Sequence, residues 1–367
     1  MLTVEQAKEL VGRDPHFVKP EKPTAFDRWA LGLINDERDL PFVKLVCSST
    51  LVLVPWAAGL FYLQSPWAPE GLRVAFWPLA VAYLLVNAFG FLDRYILMLH
   101  NTSHRVLFKR ELGWLNHYIP WVLGPFFGET PETYVAHHMG MHHPENNLKN
   151  DLSSTMRYER DSAADFVVYW ARFFFAAIVE MAFYFARKGR YRTMRKMLTG
   201  ELLWYSSVFA LGYFVSWQAT LVVLVVPFCA VRFLMMAGNW GQHAFIDASD
   251  PASPFKNSIT CIDVRYNRRA FNDGYHIGHH VKANRHWTEL PADFYENVAT
   301  YAREGAIVFR GIDFFQVWLL LVTRSYKTLA KHYVELDGKG RTQDEIIALL
   351  RSRTRPIRDD APVGVPA

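Results

Sequence analysis

Histidine is the residue type whose placement in this 367-residue chain calls for an explanation: there are 14, and most are clustered. His100 and His104 are four apart, which on a helix sets both rings on one face. His137, His138, His142 and His143 form a second cluster, and His276, His279 and His280 form a third with i, i+3, i+4 spacing. A fourth place, Asn239 with His243, repeats the i, i+4 pairing directly after an apolar run. Neutral imidazole offers a lone pair to iron, zinc, copper or nickel. Collecting so many rings at one place is costly unless something binds those lone pairs. His16, His117, His286 and His332 stand outside the clusters and read as ordinary surface or core residues.

Zinc normally takes three or four ligands, so the clusters hold too many rings for one zinc. They suit two metals that each need several nitrogens. Two adjacent irons can bind O2, cleave it with two added electrons and attack an alkyl C–H bond. Cys47, Cys229 and Cys261 form no CxxC, which argues against an iron–sulfur cluster, a zinc ribbon or a disulfide framework. No Glu stands beside a His pair as in HExxH zinc proteases.

The elements that must carry these rings are apolar. Residues of the apolar class make up 51% and aromatics 15%, and the mean hydropathy is +0.00, which fits membrane segments beside a polar part. The net charge of +5 is compatible with nucleic acid, but the local pattern favours anionic lipid, and no nucleic-acid partner is expected. Residues 1–42 read as a polar cytosolic segment without a cleavable leader. A first span is expected at 43–63. A second at 73–92 should continue through Asp93 and Arg94 and carry the first His pair past the membrane. The stretch 166–186 contains Arg172 and Glu180 and is expected in the interface. The run 202–237 is too long for one crossing, and Ser216-Trp217-Gln218 offers a turn within it. This predicts an all-α integral membrane fold with four crossings in two hairpins, under a cytosolic helical cap holding the His-rich site. The basic run from Arg187 to Lys196 then stays cytosolic. The run 305–322 reads as an interfacial amphipathic helix and 324–367 as a polar C-terminal tail, with a short helix and then disorder expected after 337. The sequon at Asn101 is discounted because the first His pair should face the cytosol.

These motifs, in this order and with hydrophobic spans between the second and third, resemble the membrane fatty acid desaturase and hydroxylase superfamily. The segment from Asn272 to His280, NDGYHIGHH, is especially similar to the last box of acyl-CoA desaturases. The resemblance covers about residues 43–300 of a membrane domain read as 43–323. It implies as iron ligands His100, His104, His138, His142, His143, His243, His276, His279 and His280, with Asn239 acting through a bound water. The spacing from His138 to His142 is one longer than in many relatives, and His137 reads as a neighbour of the ligands rather than one of them.

The resemblance implies two iron ions (Fe2+/Fe3+), O2 as co-substrate, a fatty acyl substrate in an apolar tunnel, and a membrane lipid setting. Desaturation is the expected outcome. Hydroxylation, or oxidative decarboxylation of a free fatty acid to a 1-alkene, would use the same cofactor. Electrons should come from a separate donor of the ferredoxin, rubredoxin or cytochrome b5 type. A membrane metal-binding protein without enzymatic activity is the rival class, and polar residues within the spans would be its sign.

Overall fold

A computed structural model describes residues 1–19 and 21–357. Helices dominate. They run α1 Val4–Val11, α2 Ala25–Leu33, α3 Leu40–Leu63, α4 Glu70–His104, α5 Thr133–His137, α6 Ala163–Arg187, α7 Tyr191–Phe214 and α8 Trp217–Gln242. After these come β1 Ile259–Ile262, α9 His276–Val281, β2 Ile307–Arg310, α10 Phe314–Val322, α11 Tyr326–His332 and α12 Gln343–Ser352, with short helical turns between.

Four helices are long and apolar enough to cross a membrane: Glu37–Leu63, which contains α3, then α4, α6 and α8. At 1.5 Å per residue the 35 residues of α4 extend about 52 Å, well beyond a hydrocarbon core of about 30 Å. Its final turns carry His100 and His104. The long run at 202–237 is also divided as expected: α7 ends at Phe214, and the Ser216 side chain caps α8 by accepting from the Ala219 amide.

Helix α6 is as long and apolar as the others. Arg172 and Glu180 neutralise one another, with Arg172 Nη2 2.7 Å from Glu180 Oε2, so the two charges do not break the apolar character. Helix α7 joins the basic run and the apolar stretch in one 24-residue helix. The stretch 305–322 is not a single amphipathic helix. Residues 307–310 form β2, and only 314–322 are helical, because Asp313 caps the amides of Phe315 and Gln316.

The described chain folds as two compact units. One comprises residues 17–137 and 182–232; the other comprises 1–16, 138–181 and 233 onward. In the second unit, β1 and β2 pair in parallel, Ile259 opposite Ile307, as a buried strut. Phe245, Cys261, Phe309, Phe314, Val317 and Leu329 pack around it. A second apolar cluster joins α1, through Ala7 and Val11, to Tyr275, Ile277 and Phe294. Arg160 is fully buried, and its guanidinium donates to the carbonyls of Ala244, Thr155, Met156, Tyr158, Arg353 and Arg355. Burial pushes this guanidinium down to about 9 from its usual range.

Strut and helix end meet at a glycine. The C-terminal turn of α8 runs against the Phe314 backbone at Gly241, where an added Cβ would collide with the Phe314 carbonyl. Gly241→Ala should therefore lower thermal stability by about 1–3 kcal/mol and lower metal occupancy with it, because His243 is two residues on. Gly59→Ala, where a Cβ meets nothing within 4 Å, should change neither. Thermal unfolding with metal analysis of both variants checks this; a Gly241→Ala protein as stable as its parent would contradict it.

Candidate metal centre

Four histidines of the second unit bring one nitrogen each to a common point. His243 follows the last turn of α8, and its backbone N–H donates to the Asn239 carbonyl at 3.0 Å. His276 and His280 lie on α9, where the i, i+4 spacing brings their rings edge to face with centroids 4.5 Å apart. His142 comes from the turn after α5, its ring 5.3 Å from those of His243 and His280. His276 Nε2 is 3.2 Å from His243 Nε2 and 3.0 Å from His280 Nε2. The ligating atoms of all four lie within 4.8 Å of one another.

For His142, His243 and His280, what aims the nitrogen inward is what holds the opposite side of the ring. His142 Nδ1 pairs with Asp151 Oδ2 at 2.6 Å, and His243 Nδ1 with the Asn257 carbonyl at 2.9 Å. His280 Nδ1 pairs with Asn146 Oδ1 at 3.1 Å. An acceptor at Nδ1 puts the proton there and leaves the Nε2 lone pair facing the cluster. The acceptors are themselves fixed. Asp151 also takes the Ser153 amide and hydroxyl, and Asn147 bridges to Asn257 Oδ1 at 2.7 Å. Asn146 and Asn147 adopt left-handed backbone, at φ 50° and 57°, which asparagine tolerates. Burial lowers the His243 pKa to about 3 and that of His280 well below the usual imidazole value, with the neighbouring imidazoles adding to the effect. Both rings are neutral at neutral pH, the form that binds metal.

A second set lies beside the first. His143 Nε2 is 3.0 Å from His138 Nε2 and 3.0 Å from His279 Nε2. The rings of His143 and His280 are 5.2 Å apart, so the two sets adjoin. The spacing that looked one residue too long is explained here. Residues five apart on an α-helix point about 140° away from each other. His138–His142 instead form a π-turn, whose i, i+5 closure brings His138 and His143 to the same set and leaves His142 for the other.

His279 comes from α9, whose entry is braced by β1: the Cys261 amide donates to the Gly274 carbonyl at 2.7 Å, and Asn267 bonds both segments. In the other unit, His100 and His104 share one face of α4, with centroids 5.4 Å apart. Asn239 is near the first set but is not a direct donor to it. Its amide N–H groups donate to the Ser153 carbonyl at 2.9 Å and the Tyr169 hydroxyl at 2.7 Å. His137 ends α5 and belongs to neither metal-competent group. His286 and His332 make local bonds, to Thr288 Oγ1 and to the Arg310 carbonyl.

The donors fit a metal. With metal–nitrogen bonds of about 2.1 Å, ligands at right angles stand about 3.0 Å apart and tetrahedral ones about 3.4 Å. The observed nitrogen separations of 3.0 to 3.2 Å match the right-angled case. The donors are imidazole rather than thiolate. Asp151, Asn146 and Asn257 are the parts that sequence reasoning missed. Their one signal was their place, a short polar stretch just after the second His cluster and another just before β1.

A family model described as Fatty acid desaturase matches residues 75–311, more than half of the chain. No curated protein and no solved structure matches it.

Replacing Asp151 with Asn removes the charge behind His142 and frees the tautomer. Metal affinity should fall about 10–100-fold while the helical content stays. Titration of the metal-free protein, with circular dichroism alongside, tests this; an unchanged affinity would mean that Asp151 only shapes the loop.

Proposed function

Because the chain belongs to the fatty acid desaturase family, we propose that it is a membrane-bound di-iron oxidoreductase that inserts a double bond into a fatty acyl chain. The observation that carries this reading is the pair of adjoining imidazole sets with converging Nε2 atoms. His142, His243, His276 and His280 are the proposed ligands of one iron, and His138, His143 and His279 belong to the other. His100 and His104 are proposed to complete the second set, since both rings leave one face of the helix end that outruns the apolar layer.

Held by these histidines, two irons would supply the activation of O2. The overall change removes two hydrogens from the acyl chain, consumes one O2 with two external electrons and two protons, and releases two waters. The protein's own residues hold the reactants in place. Asp151, Asn257 and Asn146 fix the ring tautomers, so the lone pairs need no rearrangement on loading. Asn239 has both amide hydrogens committed, and its carbonyl oxygen is the atom proposed to accept from a water in the site. Electrons are proposed to arrive from a separate ferredoxin, rubredoxin or cytochrome b5 type protein.

Topology follows from parity. His142 and His243 belong to the same set, so the chain between them crosses the membrane an even number of times. Helices α6, α7 and α8 lie in that interval, and two of the three are proposed to cross. We assign the crossings to α7 and α8 and place α6 in the interface, because the basic run then stays on the cytosolic side with the histidines. Cysteines introduced between 187 and 196 should be labelled from the cytosolic face. Labelling only from the outer face would assign the crossings to α6 and α8 instead.

Purified protein loaded with ferrous iron should hold about two irons per chain. His243→Ala should lose iron and turnover together, whereas His117→Ala should lose neither. Expression in a host of defined fatty acid content, followed by gas chromatography and mass spectrometry, should show a new unsaturated acid. Hydroxylated acids or 1-alkenes would keep the cofactor and reassign the outcome, and an active protein holding zinc alone would sink the reading.

A further inference from the structure

One cleft of the unit containing α7 is built from charge rather than from the metal site. It has a volume of about 360 Å³ and is lined by Trp121, Arg192, Arg195, Lys196 and Thr199. The volume is within the range of about 300–1,000 Å³ usual for small-ligand sites. Arg192, Arg195, Lys196 and Thr199 stand at i, i+3, i+4 and i+7 on α7, so they present one face. Trp121 forms the facing wall and is held by its indole N–H, which donates to Glu132 Oε1 at 2.8 Å. Glu132 also approaches Lys196, at 3.8 Å. Among the described residues, Arg192 and Arg195 form no ion pair. The cleft thus carries three cations against one carboxylate.

The rest of α7 identifies the ligand. Six residues beyond Lys196 the helix turns apolar, and Leu202, Leu203, Tyr205, Phe209, Tyr213 and Phe214 are all exposed. That distance is about 9 Å along the axis. A water-facing helix would not expose such a surface, and lipid tails would cover it. The cations therefore stand at the level where headgroups begin.

We propose that this cleft binds the phosphate of an anionic membrane phospholipid, the arginine forks taking its oxygens and Trp121 covering the glycerol region. The proposal rests on the membrane placement above and is independent of the reaction.

The test uses the full-length, iron-loaded protein in detergent with equal amounts of phosphatidylglycerol and phosphatidylcholine. Retained lipid is counted by mass spectrometry, and iron content and melting temperature are recorded beside it. The parent protein should favour phosphatidylglycerol by roughly fivefold or more. Arg192→Gln with Arg195→Gln and Lys196→Gln should remove the preference. Thr199→Trp should also remove it, by filling the cleft without changing charge. Arg187→Gln with Lys188→Gln, basic residues outside the cleft, should keep it. Equal retention of the two lipids by the parent overturns the proposal, as does preserved selectivity in Thr199→Trp or an equal loss in the Arg187 and Lys188 variant. Tight binding of inorganic pyrophosphate without lipid selectivity overturns it in favour of a soluble phosphate ligand. Since iron content is read separately, failure here is distinct from failure of the metal assignment.

Discussion

Imidazole nitrogens do not gather 3.0 Å apart without compensation, and that constraint organises the second unit of this protein. Each inward lone pair is desolvated and faces others of its kind. The compensation is applied from behind, by Asp151, Asn146 and the Asn257 carbonyl. Those acceptors need fixed positions of their own. The left-handed asparagines, the Ser153 bonds to Asp151 and the buried strand pair beneath α9 provide them. The polar framework is therefore more extensive than the ligand set it serves, and little of it touches the point where a metal would sit.

Secondary structure bends to the same requirement. A regular α-helix would send His138 and His143 to different sides, and the π-turn recovers them. The exit of α8 is pressed against Phe314 at a residue with no side chain, which sets the height at which His243 emerges. Helix α4 is longer than a bilayer demands, and its surplus carries the first His pair.

The clustering of histidines that could hold a metal was legible because histidine is chemically conspicuous and its spacings match a helix. His100 with His104, and His276 with His280, do share a helix at the i, i+4 spacing read from the sequence. The division at Ser216 was legible as well, since a serine between two apolar runs is a capping signal. The supporting shell was not. Asp151 is one acid in a loop, and its importance comes from folding back on His142, nine residues earlier. In α6, Arg172 and Glu180 read as two separate charges in the sequence, although they pair across two turns. The strand β2 was hidden in an apolar run whose partner, β1, lies more than forty residues away. Long-range pairing of this kind leaves no local period to detect.

Arg160 has a consequence for the order of events in folding. Its guanidinium gathers carbonyls from the segment just after the second His cluster, from Ala244 beside His243, and from Arg353 and Arg355. A buried cation whose acceptors come from segments so far apart in the chain cannot be satisfied during most of translation. The helices can form and enter the lipid one after another, but this junction must wait until residues 353–355 have left the ribosome. The histidines nearest Arg160 are thus assembled late, after the membrane part of the chain has been made.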